Sequence, residues 1–401
     1  MSNYGIYAEL VASQASTPVS TATTVVIIGA VLGSDASKYA NDPQLVLSKK
    51  DYETRWGSTD CSLRKAAEVA FDMMNMSQAI FINVNVDGKS DESDISTETI
   101  VGTELTQTGC YAIQRIFPKF GLTPDIVVCP LSSVSDVLQA IKINITKANG
   151  HWDGICLYDV VESAGQLEDG IVIPQGIIGS KQISNERFIA CWGHIKTATG
   201  IYSSALYKAC LLAVTDAQNH DVPMRSIGNL PAPDVSYITL ADNDSPVILT
   251  EEAATTLADG GITSFINIGS NVYYTWGDGT SALINNTVPD ERSRFDTTIR
   301  MMFMLGNRFQ RKWRNAIDAP MNLGLRKDII TEEQSYLDYL KAIGALLGYP
   351  KCEFRPLDNT IETIQRGEFY FTNIITTTPP ARYIDLKVGF TSEGYAVLLE
   401  G

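Results

Sequence analysis

The chain has 401 residues, and its 31 Lys and Arg against 46 Asp and Glu give a formal net charge of −15. This acidic balance argues against a surface that wraps nucleic acid. Hydrophobic residues make up 44% of the chain and charged residues 19%, a balance that excludes a disordered chain and provides for real hydrophobic cores. At about 100 to 200 residues per domain, this length predicts two or three domains.

The cysteines and the apolar runs bear on the compartment of the protein. Seven cysteines are scattered without a CxxC pair, which predicts reduced core residues rather than a zinc site or a disulfide framework; they are Cys61, Cys110, Cys129, Cys156, Cys191, Cys210 and Cys352. The N-terminal residues lack the basic and apolar regions of a signal peptide, and no apolar run approaches the about 18 residues of a membrane span. We therefore expect neither classical export nor membrane insertion.

The N-terminal quarter begins with a segment that cannot form a core by itself. Residues 1–24 are predicted to be an arm, because a short apolar-alternating stretch precedes a Ser/Thr-rich run. The β-branched run at 24–33 predicts a buried strand. Helical spacing predicts a helix at 63–76, and a second apolar run predicts a strand at 79–86.

From about residue 120 the pattern becomes strand, helix, strand. Apolar runs predict strands at 124–130, 151–160 and 186–195. Helical spacing predicts helices at 133–150 and 203–218. We interpret this region as an α/β layer with partly parallel strands and right-handed crossovers.

The C-terminal part mixes helices with strands. Thr250 is a predicted N-cap of a helix that Gly260-Gly261 ends, and a hairpin is predicted around Ser270-Asn271. Thr331 is the predicted N-cap of a later helix. The remaining predicted elements are two helices and two strands, at 293–313, 331–348, 368–378 and 382–391.

These patterns divide the chain into five segments. They are an N-terminal arm at 1–24, an N-terminal α/β region at 25–101, a middle α/β domain at 102–245, a C-terminal domain at 246–391 and a C-terminal arm at 392–401.

The sequence nominates no catalytic, cofactor-binding or metal-binding residue. The three histidines stand outside HExxH, HxH and GxSxG patterns; they are His151, His194 and His220. The run at 25–35 resembles the opening of a dinucleotide fold, but Gly29 and Gly33 are four apart and do not form GxGxxG, so a simple turn is the simpler interpretation. The residues alone therefore indicate no particular cofactor and no particular enzyme activity.

One segment is strongly basic in an otherwise acidic chain. Residues 291–327 hold nine basic residues against three acidic ones. A solvated helix face and an electrostatic docking surface for an acidic protein partner both fit this pattern. The candidate contact residues for such docking are Arg300, Arg308, Arg311, Lys312 and Arg314.

Both ends of the chain are alternating apolar segments on Ser, Thr and Pro-rich hinges. Such a segment satisfies its backbone groups by pairing into a sheet, so strand addition to a neighbouring molecule is expected. Head-to-tail donation from two ends would give an open polymer. The candidate strand residues are Tyr4, Ile6, Ala8, Leu10, Tyr395, Val397 and Leu399.

The order of these features resembles contractile phage tail sheath proteins, which also occur in R-type bacteriocins and contractile injection systems. The matching stretches are GIYAELV (5–11), TPVSTATTVVIIGAV (17–31), ILTEEAATTLADGGITSFINIGSNVYYTWGDGTSA (248–282), FDTTIRMMFMLGNRFQRKW (295–313) with AIDAPMN (316–322), and RGEFYFTNIITTTPPARYIDLKVGFTSE (366–393). The resemblance covers nearly the whole chain and is most specific from Leu249 onward.

The resemblance implies a multidomain α/β and α+β fold. The C-terminal region plus the N-terminal strand would form an inner α+β domain, with an outer α/β domain that is subtilisin-like in outline and extended terminal arms. No protease activity is implied, because no Asp, His and Ser triad is evident. The basic helix or the following helix would face an inner tube.

The resemblance also implies a structural role. Sheath subunits stack as hexameric rings around the tube, and contraction drives the tube through a target cell envelope. The expected partners are neighbouring sheath subunits, the inner tail tube protein, and baseplate and tail terminator proteins, with no direct contact to nucleic acid or membrane. Assembly is expected in the bacterial host cytoplasm, giving a component of a virion tail or contractile particle.

Two other interpretations remain at this point. An α/β enzyme acting through the middle domain would show a convergent polar site with perturbed ionisable groups. A tail-tube or baseplate protein of the same machine would also polymerise, but it should lack a separate α/β domain.

Overall fold

A computed structural model describes residues 22–146, 152–160, 167–181, 183–240, 244–269, 272–283 and 290–398. Within these residues the strands are β1 (Val25–Gly29), β2 (Gln44–Val46), β3 (Ala79–Asn83), β4 (Ile126–Val128), β5 (Ile155–Asp159), β6 (Leu167–Glu168), β7 (Ile171–Val172), β8 (Phe188–Cys191), β9 (His194–Lys196), β10 (Ile201–Ser203), β11 (Pro231–Ala232), β12 (Tyr237–Thr239), β13 (Ile262–Asn267), β14 (Tyr273–Trp276), β15 (Lys351–Glu353) and β16 (Thr372–Ile374).

The α-helices of the same residues alternate with these strands over most of the chain. They are α1 (Lys49–Trp56), α2 (Ser62–Ala67), α3 (Thr97–Val101), α4 (Ile116–Phe120), α5 (Ser135–Asn144), α6 (Pro174–Gly179), α7 (Ser204–Gln218), α8 (Glu251–Asp259), α9 (Asp296–Trp313), α10 (Leu323–Ala342) and α11 (Ile361–Gln365). A π-helical turn at Glu68–Met73 continues α2.

A nine-stranded sheet forms the centre of the described structure, in the order β11-β14-β13-β8-β5-β4-β1-β3-β2. The six strands from β13 to β3 pair in parallel, and antiparallel strands border them on both sides. Strands β1, β3 and β4 are buried along their whole length, as parallel strands covered on both faces must be. The α/β layer predicted from the sequence is thereby confirmed.

The sheet crosses both of the internal domain boundaries that we expected. β1 pairs with β4 across the boundary near residue 101, and β8 pairs with β13 across the boundary near residue 245. Strands that are hydrogen-bonded neighbours belong to one sheet. One layer therefore contains the N-terminal α/β region (25–101), the middle α/β domain (102–245) and the start of the C-terminal domain.

A second, smaller core lies between α9, α10 and the β15–β16 ladder. It contains Val222, Met301, Leu305, Leu337, Leu340, Ala345, Leu346 and Cys352. Helix α9 joins the two cores, since its Ile299 belongs to the large core while Met301 and Leu305 belong to the small one.

Three predicted boundaries were wrong. Helix α10 begins at Leu323, because the Asn322 side chain accepts a hydrogen bond from the backbone N–H of Leu325 and caps the helix two turns before Thr331. In the strand predicted at 368–378, Thr372–Ile374 form β16 and Thr377 forms an isolated antiparallel bridge with Leu346, so the pairing is interrupted. The strand predicted at 382–391 is an extended segment with no ladder partner among the described residues.

All seven cysteines are buried and unpaired, which confirms the prediction of core cysteines. Among the described residues, no helix combines the length and apolar character that a membrane crossing requires.

Candidate assembly surfaces

Arg300, the first residue of the predicted docking set, lies inside the molecule. Its side chain is 5% exposed, its Nη2 donates to the Asp216 carboxylate in α7, and its Nη1 lies 3.9 Å from Asp296 Oδ2. Burial raises the pKa of Asp216, and it raises the pKa of Asp296 to about 6. Arg300 is therefore not available to a partner in this conformation, which corrects its assignment as a surface contact.

Two further cations of α9 are paired with α10. Arg308 Nη1 lies 2.7 Å from Glu333 Oε2, and Lys312 Nζ lies 2.5 Å from Glu332 Oε2. The Arg308 guanidinium also stacks on the Tyr336 ring, 3.7 Å from its centroid. These charges hold the two helices together. The basic surface of α9 that is open to a partner is therefore smaller than the sequence predicted.

Arg311 and Arg314 are the exposed cations of the docking set. Neither forms an ion pair with a described residue. The Arg314 guanidinium lies 5.3 Å from the centroid of the Phe117 ring, which in turn contacts the Trp152 ring at 4.3 Å. Arg311 lines a small cavity together with Asp125, whose side chain is partly buried. Lys312, which is paired but partly exposed, borders them in the chain.

The turn between α9 and α10 forms an exposed tip that our reading of the sequence missed. Ile317 is 71% exposed and Leu323 is 75% exposed. Arg326 and Lys327 follow on the first turns of α10, and both are exposed. The sequence does show apolar residues between two groups of basic residues. We did not recognise this exposed tip because we expected the helix to begin only at Thr331.

The segment after Pro380 carries the largest run of exposed apolar side chains in the described structure. Arg382 holds its start, with Nε 3.1 Å from Asp278 Oδ1. Beyond it the apolar side chains alternate and are more than four-fifths exposed; they are Ile384, Leu386, Val388 and Phe390. In a strand these side chains would share one face.

The predicted C-terminal arm strand is not formed in the single chain. Residues Glu393–Leu398 form a 3₁₀ helix, in which Tyr395 is 60% exposed and Val397 is 72% exposed. Leu399 lies outside the described residues. An isolated strand has no ladder to satisfy its backbone, so local turns replace it when no neighbouring strand is present.

The β15–β16 ladder supplies a sheet edge beside the smaller core. The two strands pair antiparallel, with Cys352 opposite Asn373, and form a sheet of two strands within the described residues. The outward N–H of Cys352 in β15 donates to Gln334 Oε1 of α10, so β16 is the strand that keeps an outer edge to which another strand can add. The N-terminal strand candidates lie outside the described residues; they are Tyr4, Ile6, Ala8 and Leu10.

The parallel sheet of the middle region carries polar residues at its carboxyl edge, where an α/β enzyme would bind substrate. Ser203 Oγ donates to Asp159 Oδ2 at 2.5 Å and accepts from the Leu206 N–H, so it caps α7. Lys208 is fully buried, its Nζ donates to Thr263 Oγ1 at 2.9 Å, and burial lowers its pKa to about 8. These groups satisfy one another inside the core and offer no reachable reactive site.

The remaining enzyme-like features also have structural explanations. A Cβ atom at Gly29 would lie 2.8 Å from Ser62 Oγ, so the glycine lets α2 pack on β1. Gly33 has φ +91°, which fits a turn. His194 lies opposite Ser203 in the β9–β10 ladder, His220 is exposed after α7, and His151 lies outside the described residues. No group of three or more metal-ligating side chains occurs among the described residues.

The chain is similar over nearly its whole length to solved structures of contractile machines. It matches the sheath complex of an extracellular contractile injection system, PVC, in the contracted state with a TM-score of 0.69 and 15% identity, covering 98% of this chain and 99% of that one. It matches the helical sheath of the anti-feeding prophage in the contracted state with a TM-score of 0.65 and 17% identity, covering 98% and 100%. This chain has the fold of contractile sheath proteins.

A more distant match extends the sheath fold to a single crystallised chain. The sheath tail protein of Desulfitobacterium hafniense aligns with a TM-score of 0.55 and 11% identity, covering 93% of this chain and 100% of that one. No protein-family model and no curated protein sequence matches this chain.

Proposed function

We propose that the chain is the structural subunit of a contractile sheath and is not an enzyme. The observation that carries this proposal is the match over 98% of the chain to sheaths in the contracted state. Subunits would stack as hexameric rings around an inner tube. Contraction to a lower-energy packing would then drive the tube through a target cell envelope, and no cofactor would be needed.

The terminal arms would connect neighbouring subunits by strand addition. Two observations support this role: the unpaired apolar alternation from Ile384 to Phe390, and the open outer edge of β16 in the β15–β16 ladder. The N-terminal arm around residues 4–11 and the C-terminal arm around residues 394–399 would complete that sheet in neighbouring subunits. The outer, subtilisin-like domain of the proposed arrangement would be the nine-stranded layer.

Electron microscopy of the purified chain, with and without its cognate tube, tests the sheath proposal. We expect helical tubes or stacked rings that disappear when residues 1–20 or 392–401 are deleted. Each truncated chain should keep the circular dichroism spectrum and unfolding midpoint of the full chain, because it retains every residue that the two described cores contain. Small particles in every condition would contradict the proposal.

Contact with the tube is proposed for Arg311, Lys312 and Arg314 and for the neighbouring tip around Ile317. Exposed ion pairs contribute about 0 to 1 kcal/mol each, which is weak enough to break during contraction. Arg311→Glu with Arg314→Glu should block co-assembly with the tube. The matched control is Lys50→Glu with Lys89→Glu, which makes the same change in charge at exposed residues of the nine-stranded layer. Normal extended particles from the first variant would refute this contact.

The other proposed partners are the baseplate and tail terminator proteins, which would bound the sheath at its two ends. Assembly is proposed to occur in the bacterial host cytoplasm, and the product would be part of a virion tail or a contractile particle. Producing cells that are harvested before they release particles and are then fractionated should contain the chain as sedimenting tubes in the cytoplasmic fraction.

A further inference from the structure

The root of the N-terminal arm, Ala22–Thr24, is held by aspartates from three places in the fold. The Ala22 N–H donates to Asp221 Oδ1 at 3.2 Å, Thr23 Oγ1 donates to Asp216 Oδ2 at 2.8 Å, and the Thr24 N–H donates to Asp125 Oδ2 at 3.0 Å. The direction in which the arm leaves the sheet is therefore set by carboxylates, because the arm root is bonded through them before β1 begins.

One of these carboxylates serves two elements at once. Asp216 Oδ2, which accepts from Thr23, also accepts from the Arg300 guanidinium of α9. Asp216 is 1% exposed and Arg300 is 6% exposed, so water does not screen this junction. A shift of Arg300 would therefore change the hydrogen bonding and the position of the oxygen to which the arm root is bonded.

The junction has room and unmet bonds for a second arrangement. Asp216 Oδ1 and Arg300 Nη1 are buried and make no hydrogen bond to a described residue. The residues Asp216 and Arg300 line a cavity of about 80 Å³ together with Asp125 and Arg311. A buried charge with an unmet bond is costly, and a space beside it lets the pair rearrange without displacing packed side chains.

We propose that Asp216 is a positioning residue that couples the N-terminal arm to helix α9. In one arrangement Arg300 and Thr23 share Asp216 Oδ2, and the arm root is held. In the other, α9 moves with Arg300, Asp216 turns toward the cavity, and the arm root is released. By linkage the coupling acts in both directions, so release of the arm also loosens the start of α9.

The significance of this coupling rests on the proposed function. α9 ends at the exposed tip that we place against the tube, whereas the arm connects neighbouring subunits. Asp216 would then transmit the loss of tube contact at α9 to the links between subunits during contraction. The path is a single shared carboxylate between two elements and requires no chain of intermediate residues.

Hydrogen–deuterium exchange of the unassembled chain tests the coupling. In Arg300→Met, amides of the peptide spanning residues 22–24 should exchange about tenfold faster or more. Asp216 loses the charge-assisted contact that positions it to accept from the Thr23 hydroxyl, so the arm root is held less firmly. The control is Arg308→Met on the same helix, whose partner is Glu333 and which should leave residues 22–24 unchanged. In each variant the peptide of β5, in the centre of the sheet, should keep its protection.

The reciprocal variant separates coupling from simple damage to the core. Thr23→Val leaves the ion pair intact, yet it should accelerate exchange at Asp296–Arg300, the first turns of α9. Thr23→Ser, which keeps the hydroxyl, should restore the protection. If Arg300→Met does not fold, Thr23→Val with its Ser rescue decides the question.

Two results would overturn the coupling. One is exchange at residues 22–24 that is no faster in Arg300→Met than in Arg308→Met. The other is unchanged exchange at the start of α9 in Thr23→Val. Both are measured on single chains, so they are independent of electron microscopy, which decides whether the chain forms a sheath.

Discussion

Buried carboxylates distinguish the junction between α9 and the sheet at the residue scale. Burial raises the pKa of Asp125 to about 6, and it raises that of Asp296 to about 6. Asp296 accepts hydrogen bonds from Ser226 Oγ and from the Ile227 N–H, which partly offset the cost of its charge. The negative charges in this region exceed the buried positive charge of Arg300.

Asp296→Asn should change how stability depends on pH. A carboxyl whose folded pKa lies above its unfolded value of 3.8 favours the native state at low pH, and this contribution falls as pH rises from about 4 to about 6. Asn keeps an acceptor for Ser226 but carries no charge. The free energy of unfolding of the variant should therefore fall less with rising pH than that of the wild type, by about 2 to 3 kcal/mol. Urea unfolding across this pH range measures the difference. Asp358→Asn, at an exposed residue, should keep the wild-type slope; the same slope in Asp296→Asn would contradict the expectation.

Gly29→Ala should destabilise the chain by about 1 to 3 kcal/mol, because overpacking a full core forces its neighbours apart. The added Cβ would lie 2.8 Å from Ser62 Oγ and 2.9 Å from Leu63 Cδ2. Gly179→Ala is the control, since nothing lies within 4 Å of its Cβ position. Thermal unfolding compares the two variants, and equal midpoints would show that the glycine is not required for packing.

The pairing of α9 with α10 is decided at the scale of the element. Glu333 has a side chain that is 1% exposed and accepts from both Arg308 and Trp313, whereas its neighbour Glu332 has a side chain that is 57% exposed and pairs with Lys312. Two adjacent glutamates on one helix thus have unequal roles.

Glu333→Ala should lower the free energy of unfolding by about 2 to 4 kcal/mol, because it leaves Arg308 partly buried without its partner. Glu332→Ala should cost less than about 1 kcal/mol, as for an exposed pair. Urea unfolding of both variants measures the contrast. Similar losses would show that burial does not decide the strength of these pairs.

Sequence patterns predicted the elements that depend on local periodicity. The strands around Val26, Ile80 and Val127 and helix α7 were predicted correctly, because apolar spacing and β-branched runs define them. The Thr250 cap was also confirmed. These features require no knowledge of distant partners.

Features that depend on distant partners could not be predicted. Arg300 looked like a surface cation because its partner Asp216 lies 84 positions away in the chain. The strand predicted at 382–391 has the right alternation, but a strand forms only beside another strand. The sequence indicates that such a segment can form a strand. Whether it does so depends on a partner strand, which the fold or a neighbouring subunit must supply.

At the scale of the whole molecule, the exposed alternation beyond Arg382 is an aggregation hazard before assembly. Asp385 and Lys387 interrupt its apolar residues and would lie on the opposite face of a strand. Asp385→Val with Lys387→Val should increase thioflavin-positive aggregate at equal concentration, because the gatekeeping charges are lost. Asp358→Val with Lys50→Val, at two exposed residues outside this segment, is a control that makes the same change in charge. Equal aggregation of the two variants would contradict the expectation.

The seven buried cysteines can serve as probes of transient opening of the core. A thiol reagent reacts with a core cysteine only when the surrounding layer parts, so modification counts openings and not surface collisions. If contraction moves each subunit as an intact body, the thiols should stay unreactive before, during and after the event. A burst of labelling that coincides with contraction would instead mean that the machine works by briefly unfolding its parts.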